Sequence, residues 1–520
     1  MSDPYPPPLP PEPRPRWWLR LLIFGALVVL LPLLIFFSYY LYARRAADQE
    51  IREAIAQADE LDPGWRLEEL EARRKAIPEE RNAALVAMKV KQLLPSPWPS
   101  QSKAAAGPFP GPTDPTQTME NGIYELPPEV QLDARQARWL REELMKAGPA
   151  VTEARRLAEM PEGRFPIKYT PDFISTLLSC QDARAAAQLL SLDARLLAQE
   201  GKAEEALSSV CALLNAGRAV GDEPMLISQL VRMACQGVAL AALERVLAQG
   251  EVSAKSLERL QRELEREAAE PLLLYGARGE RAGNRHLMEN IEKGVITPAQ
   301  IMAAVSNSKP SGLEALATDL SSGFLLQQAH GWILRWMNDF VETAKLPAEE
   351  QGQRVKELGQ RAQAPDVPIL ARLLVPAVAK VAQAFRRSQS DLRCGIVAVA
   401  AERFRLDHGR WPRNLNELTP KYLAKVPLDA HDGKPIRFKG LADGVLVYNV
   451  GPDGKDDGGK IDRLKATEPG TDRGFRLWDV AQRRQPPLNP DIGPPRPTAL
   501  DLQWPEEMRL DLPNDGPPEK

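Results

Sequence analysis

The most prominent pattern in the sequence is an uninterrupted apolar stretch near the N-terminus. Every residue from Leu21 to Ala43 is uncharged, and most are leucine, isoleucine, valine or phenylalanine. At a rise of about 1.5 Å per residue, a helix of this length crosses a hydrocarbon core of about 30 Å. Tryptophans and tyrosines flank the stretch, where their amphipathic rings prefer the bilayer interface. The pattern predicts a transmembrane helix over residues 17–43.

The flanks of this stretch indicate an anchor that is kept rather than cleaved. A signal peptide has a shorter apolar segment and ends in small residues, whereas this stretch ends in the bulky "SYYLYARR". Arginines lie on both sides, so the charge rule alone does not decide the orientation. The short tail before the helix and the long chain after it favour a bulk that lies outside.

Polarity patterns divide the rest of the chain into segments. Proline-rich tails and linkers cannot form regular structure, because each proline removes a backbone donor and fixes φ. Segments rich in alanine, glutamate, arginine and leucine are typical of helices. The predicted segments are a Pro-rich tail at 1–16, a helical segment at 46–94, a Pro-rich linker at 95–128, a helical domain at 129–363, an α+β domain at 371–480 and a second Pro-rich tail at 481–520. The predicted fold class is mainly α.

Within the helical domain, residues 194–224 resemble one tetratricopeptide-like helical hairpin. Gly201 stands at the turn, Ala206 at a packing position and Pro224 after the second helix. A solenoid needs about three stacked repeats to bury its faces, and only one clear copy is present. We therefore expect an irregular helical bundle whose apolar stripes form a core, with a groove for a partner peptide as the alternative.

The predicted C-terminal domain begins with an amphipathic pattern. Apolar residues from Leu374 to Leu406 recur at steps of three, four or seven, which places them on one face of a helix. Pro376 is tolerated only in a first turn, so the helix is expected to start at residues 373–375, and Gly409 is available for a left-handed cap. A short helix in "NLNELTPKYL" and three strands, at 435–440, 444–451 and 474–479, follow. The pattern predicts one long helix lying across an antiparallel sheet.

Charge and cysteine content exclude two classes of function. Lysine plus arginine, 67, nearly balances aspartate plus glutamate, 70, so the net charge of −3 lacks the positive excess that nucleic-acid binding requires. The cysteines are far apart and form no CxxC pair, which argues against zinc. They are Cys180, Cys211, Cys235 and Cys394. We expect buried thiols, with a Cys211–Cys235 disulfide as the alternative if the domain is exported.

No catalytic motif is present. The sequence contains no HExxH, GxSxG or P-loop pattern, and no nucleotide-binding glycine motif at the right distance from an acidic residue. The segment "GERAGNRHLMEN" at 279–290 gathers charges, but a solvated charged helix is the simpler interpretation. We therefore predict a protein that is not an enzyme and has no small-molecule substrate. The alternative is a membrane-bound enzyme whose site in the helical domain is built from distant residues.

The segment "GPDGKDDGGKID" at 451–462 is the one candidate for a metal site. Closely spaced carboxylates repel each other unless a cation lies between them, and calcium takes six to eight oxygen ligands. Its aspartates are Asp453, Asp456, Asp457 and Asp462. An EF-hand is excluded, because Lys455 and Leu464 would occupy positions that require oxygen ligands. The alternative is a solvated Asp/Gly turn, whose aspartates accept local backbone amides.

Two longer segments together resemble the globular domain of type II secretion major pseudopilins. They are "FRLDHGRWPRNLNELTPKYLAKVPLDAHDGKPIRFKG" and "VLVYNVGPDGKDDGG", and the resemblance covers about residues 371–480. It implies a pilin-like fold with a calcium site. In the family pattern Asp453 is the first aspartate, Val450 the carbonyl donor and Asp472 the returning aspartate. The further candidate ligands are Asp456, Asp457 and Asp462.

The sequence also departs from the pseudopilin pattern. Ala430 and His431 stand where the family usually has Pro and Trp, and the N-terminal apolar helix lacks the family's processing motif. The sequence therefore favours a pilin-like head on a static anchor in a bacterial inner membrane, with the bulk on the periplasmic side. We expect a structural or interaction protein with partners in a secretion or envelope assembly. The alternative is a true pseudopilin subunit whose N-terminal tail is removed.

Overall fold

The computed structural model describes residues 17–99, 122–173, 175–176, 178–297, 299–300, 329–365, 367–463 and 468–487. In these residues the chain is mainly helical and ends in a small antiparallel sheet of three strands. The predicted mainly α fold with a C-terminal helix-and-sheet module is confirmed at this level. The tail at 1–16, most of the linker at 95–128 and most of the tail at 481–520 lie outside the described residues.

The helices and strands are numbered here in chain order. The helices are α1 (Trp17–Leu61), α2 (Leu67–Arg73), α3 (Ala83–Leu93), α4 (Ala134–Lys146), α5 (Gly148–Arg155), α6 (Cys180–Gln199), α7 (Ala203–Arg218), α8 (Leu226–Gln249), α9 (Ala254–Ala268), α10 (Leu272–Glu292), α11 (329–344), α12 (Ala348–Arg361) and α13 (Ile369–His408). The strands are β1 (Arg437–Leu441), β2 (Gly444–Asn449) and β3 (Arg473–Trp478). Short 3-10 helices lie at Glu79–Arg81, Arg156–Glu159, Leu415–Leu418 and Val480–Gln482.

Two of the described helices are long and apolar enough to cross a membrane. One is the Phe24–Leu61 part of α1, whose most apolar window has no buried residue. The other is α8, whose corresponding window is mostly buried among other helices, as expected of a core helix. By length and composition, α1 is therefore the candidate for a signal sequence or a membrane anchor.

The helical body is centred on α6, α7 and α8, which pack against one another. The predicted hairpin at 194–224 covers only the end of α6, from Ala194 to Gln199, and all of α7, and Gly201 turns the chain between them at φ +77°. A side chain there would be strained, since this region of backbone conformation favours glycine. One continuous cluster of buried apolar residues extends from Ala83 in α3 to Leu477 in β3. The helical body and the sheet thus share a hydrophobic core.

The C-terminal module is a three-stranded meander in the order β1-β2-β3, with α13 across it. Phe438 pairs with Val447, and Val447 pairs with Phe475 on the other side. All six residues of the central strand β2 are buried, because it lies between two strands and under α13. The three strands occur within one or two residues of the predicted positions, and the predicted short helix is a 3-10 turn.

The predicted start of the long helix is wrong by several residues. We expected a start at 373–375, but α13 begins at Ile369, directly after the extended residue Pro368. Pro376 therefore lies in the helix interior, where a proline removes one intrahelical hydrogen bond. The predicted end is confirmed, since Gly409 caps the helix at φ +68° and its N–H donates to the carbonyl of Arg405 at 2.8 Å.

The chain remains packed on the body after β3. Arg483 is buried and pairs with the buried Glu402 at 2.9 Å. The Arg484 guanidinium donates to the carbonyls of Ala198 and Gln199, and the Gln485 N–H donates to the carbonyl of Glu129 at 2.7 Å. The first residues of the predicted tail at 481–520 are thus packed on the body as far as Gln485. The other domain boundaries remain predictions.

Candidate cation-binding loop

The loop at 451–472 is held by a buried aspartate in the turn before β1. The Asp429 carboxylate accepts hydrogen bonds from Ser390 Oγ on α13 at 3.0 Å and from the N–H of His431 at 2.9 Å. It also accepts from the N–H of Val450 and from Arg437 Nη1, both at 2.9 Å. One carboxylate therefore fixes the end of β2, where the loop starts, to the long helix. Sequence reasoning assigned no role to Asp429.

Asp453 joins the two ends of the loop. Its Oδ1 accepts the N–H of Lys455 at 3.0 Å, and its Oδ2 accepts the N–H of Gly470 at 3.1 Å. The hydrogen bond from Lys455 is the main cause that lowers the pKa of the Asp453 carboxyl, since N–H donors stabilise its charged form. The side chain is exposed, so it lies at the rim of the loop.

Asp472 lies on the inner side of the loop and is fully buried. Its Oδ1 accepts the N–H of Asp457 at 3.2 Å, and its Oδ2 accepts the N–H of Gly459 at 2.7 Å. Burial raises the pKa of this carboxyl, the negative charges of Asp456 and Asp457 raise it further, and the two N–H donors oppose the shift. The surroundings of Asp472 therefore disfavour its negative charge.

Asp456 also contacts the outer face of the sheet. Its Oδ1 accepts from the N–H of Gly458 at 2.9 Å and from the hydroxyl of Tyr448 at 3.2 Å. Its Oδ2 lies 3.5 Å from Arg437 Nε. Burial and the adjacent Asp456 raise the pKa of Tyr448 to about 12, so this phenol is a hydrogen-bond donor at neutral pH.

Five of the six predicted ligands lie on the loop at 451–472, and four of these take part in the hydrogen bonds given above. These four are Asp453, Asp456, Asp457 and Asp472. Val450 lies buried at the end of β2, and Asp462 is half-buried next to the bridge between Ile461 and Asp472. Among the described residues, no three histidine, cysteine, aspartate or glutamate side chains are placed to hold a metal together. The hydrogen bonds are those of a closed Asp/Gly turn, and calcium binding stays a prediction.

A second group of ionisable side chains, around Glu223, was not predicted. Glu223 is fully buried, Ser228 Oγ donates to its Oε1, and its Oε2 accepts no hydrogen bond from the described residues. Burial raises the pKa of this carboxyl to about 7. Next to it Arg74, also buried, donates from Nε to Asp222 Oδ1 at 3.1 Å. The sequence "VGDEP" shows only a break between helices, so its burial could not be inferred locally.

The charged segment at 279–290 lies on α10 and is only partly solvated. The prediction of a solvated helix is wrong for Arg281, which is fully buried and donates to the Asp62 carboxylate. Its guanidinium lies 5.1 Å from the centre of the Trp65 ring. Arg285 pairs with Glu289 one turn on, at 2.8 Å. The ion pair of Arg281 with Asp62 joins α10 to the end of α1, whereas that of Arg285 with Glu289 lies within α10.

The four cysteines are free and buried. Burial is the main cause that raises the pKa of each thiol, so these residues act as small apolar side chains. The alternative disulfide between Cys211 and Cys235 is absent from the structure.

Comparison with known proteins gives no relative for this chain. No protein-family model, no curated protein and no solved structure matches it. The resemblance to pseudopilins therefore depends on the sequence segments quoted above.

Proposed function

We propose that this protein is a single-pass protein of a bacterial inner membrane with a structural or interaction role, and that its bulk lies on the periplasmic side. The observation that carries the proposal is a contrast within α1. Nearly all described side chains from Phe24 to Tyr42 are exposed, whereas Ala47, Ile51 and Ala54 are buried in the body. An apolar helix that projects from a folded body suits a hydrocarbon core.

The proposed head is the module of α13 and the sheet, similar to the globular domain of major pseudopilins. The order of its parts supports this proposal. A long helix, a 3-10 turn, the turn around Asp429, a strand pair, a glycine-rich loop and a third strand follow one another in the order of the resemblance. Partners of the head would belong to a secretion or envelope assembly.

The packing of α13 supports a fixed head over a polymerising pseudopilin subunit. Besides the sheet, α13 packs on α8, α9 and α12 of the same chain. The sheet is also tied to the body, since the N–H of Arg476 donates to Glu244 Oε1 at 2.8 Å and Arg463 pairs with Glu244 at 2.6 Å. A helix that is already covered by its own chain has little surface left for neighbours in a filament.

The anchor is tested by alkaline extraction of membranes and intact-mass measurement of the full chain. We expect the protein to stay in the membrane fraction with its N-terminal tail present. External protease should digest the body in spheroplasts but not in intact cells. Release at high pH would overturn the anchor, and a mass that lacks the tail would favour a processed pseudopilin. Protection of the body in spheroplasts would reverse the orientation.

We further propose that calcium, a ligand of the pseudopilin family, stabilises the loop of this head. Its oxygen-rich side chains are of the type that calcium prefers. Calcium should raise the thermal midpoint of the full chain in detergent relative to EDTA, since it binds only the folded loop. Asp453→Asn should remove this shift, whereas the matched Asp443→Asn, in the β1–β2 turn, should keep it. Equal midpoints with calcium and EDTA would exclude the site.

A further inference from the structure

The part of the chain that follows the apolar segment is rigidly attached to the body. Helix α1 continues to Leu61 without a break, and Ala47, Ile51, Ala54 and Ala58 form a buried stripe along its second half. This spacing of four, three and four residues is one face of a helix. Because one continuous helix joins them, the apolar segment and the body have a fixed orientation relative to each other.

Helix α11 runs parallel to this half of α1. A side chain on Gly331 would meet Glu50, Asn338 Nδ2 donates to the carbonyl of Ala54 at 2.9 Å, and Lys345 Nζ donates to the carbonyl of Leu61 at 2.9 Å. The first described residues of α11 thus lie beside residue 50, at the end of the body nearest to the apolar segment.

Helix α10 runs in the opposite direction and ends at the same level. Arg278 and Arg281 pair with Asp62, where α1 has just ended. Fourteen residues after Arg278, Glu292 lies 3.4 Å from His330 at the start of α11. The turn that follows Glu292 therefore lies beside the start of the buried half of α1. At about 1.5 Å per residue, Glu50 lies roughly 9 Å along α1 from Arg44, where the polar part of α1 begins.

The turn after α10 exposes an apolar side chain at this place. Gly294 has φ +69°, its N–H donates to the backbone carbonyl of Ile291, and the N–H of Val295 donates to the backbone carbonyl of Asn290 at 2.8 Å. In a helix end with these two hydrogen bonds, the residue after the glycine usually packs on an apolar side chain three residues before the capping residue. The residue after the glycine is Val295, and the capping residue is Lys293. Here that position is Asn290, whose amide donates to the carbonyl of Pro171, so Val295 is left 55% exposed.

Exposed basic side chains lie at the same end of the molecule, among the exposed acidic side chains of Glu53 and Glu292. The basic side chains are Arg44, Arg45 and Arg52 on α1 and Lys293 beside Val295. An apolar tip with arginines beside it suits a bilayer surface, where cations meet lipid phosphates and apolar groups enter the boundary with the acyl chains. A single exposed valine is ordinary on a protein surface; its position next to the apolar segment gives it significance.

We propose that the turn Lys293–Ile296 is a second membrane contact, which lies in the headgroup layer of the bilayer that α1 crosses. This inference depends on the proposed role of α1 as an anchor. The two contacts, a spanning helix and an interfacial tip on a rigid body, would fix the tilt of the body on the membrane. The partner is therefore a lipid surface.

The test places an environment-sensitive nitrobenzoxadiazole dye on Val295→Cys in the full chain, reconstituted into vesicles of phosphatidylcholine and phosphatidylglycerol. The matched control is Val480→Cys, since Val480 is similarly exposed, at 51%. It lies far from Val295, because the nearby Arg483 donates to the carbonyl of Gly250, just after the end of α8 that is remote from α10. The native chain measures background labelling of its four buried cysteines.

We expect blue-shifted emission and at least twofold quenching by brominated lipids for the dye at position 295, and neither for the dye at position 480. Flotation of the vesicles separates the two proposals. A chain that floats with the vesicles but carries a water-like dye at position 295 would overturn the membrane contact and leave the anchor intact. A chain that does not float would overturn the anchor, and with it this inference.

Discussion

Two fully buried carboxylates, Glu267 in the helical body and Asp472 in the C-terminal loop, are accommodated in different ways. The Glu267 carboxylate accepts from Arg232 Nε at 2.8 Å, Arg218 Nε at 2.7 Å and Gln236 Nε2 at 2.6 Å. Burial alone would raise its pKa, but the two arginines outweigh burial and hold the pKa at about 2. Among the described residues, the Asp472 carboxylate accepts only from backbone N–H groups, and its pKa is raised.

The difference lies in the groups that surround each buried carboxylate. In the body, positive charge from the same chain neutralises the buried glutamate, so no external ion is needed. In the loop, the charges of Asp456 and Asp457 add to that of Asp472. A proton or a cation is therefore more favourable at the loop than at the glutamate of the body.

The largest effect is expected from Glu267→Gln, which removes the charge but keeps the shape. Arg232 would then be buried without its carboxylate, and removal of one partner from a buried ion pair costs about 3–5 kcal/mol. Urea unfolding of the full chain in detergent, followed by tryptophan fluorescence, measures this loss. The control on the same helix is Glu258→Gln, which removes an exposed ion pair with Arg262. Its loss should lower the free energy of unfolding by under about 1 kcal/mol. Equal losses would contradict the assigned role of Glu267.

The pH dependence of this buried pair has a definite sign. The folded pKa of Glu267, about 2, lies below its ordinary value of 4.5. Its contribution to stability is therefore complete above about pH 4.5 and is lost as the pH falls toward 2. In the glutamine variant, the part of acid destabilisation that occurs over this range should be smaller than in the native chain.

An intermediate effect of opposite sign is expected at Glu223. Its folded pKa, about 7, lies above the ordinary value of 4.5, so its contribution is present below about pH 4.5 and is lost as the pH rises through 7. Glu223→Gln should stabilise the protein at pH 8 by about 3 kcal/mol, given about 1.4 kcal/mol per pKa unit between 4.5 and about 7. Unfolding curves at pH 5 and pH 8 test this. A native chain whose stability rises over that range, with the variant unchanged, would contradict it.

The smallest effect is expected from Asp472→Asn in the presence of EDTA. The variant leaves one of the N–H groups of Asp457 and Gly459 without an acceptor, which costs about 1 kcal/mol. Removal of a charge that its neighbours repel offsets this loss, so the thermal midpoint should hardly change. Because its pKa is raised, Asp472 destabilises the loop as the pH rises through that pKa, and the variant should lose this dependence. A large loss of stability in EDTA would show that the aspartate charge is essential without a metal.

Elements with a strong local pattern could be predicted from the sequence. The apolar segment of α1 and the stripe of α13 are set by residues a few positions apart, and the strands by short runs with β-branched or aromatic residues between turn residues. Gly409 and Gly201 mark ends of helices, because they adopt positive φ without strain. The predicted aspartates of the loop were also found on one loop, since they are close in sequence and Asp472 directly precedes a recognisable strand.

What the sequence alone determined is therefore the mainly helical chain, its apolar N-terminal helix, and the order of helix, strands and acidic loop at the C-terminus. Only the tertiary structure decided that Asp429 fixes the loop, that Glu267 lies between two arginines and that Glu223 and Arg281 are buried. These partners are tens to hundreds of residues apart, and the pKa of a carboxyl depends on which charges and N–H groups surround it in space. Local pattern records the periodicity of one element, whereas burial and charge pairing arise only when elements pack together.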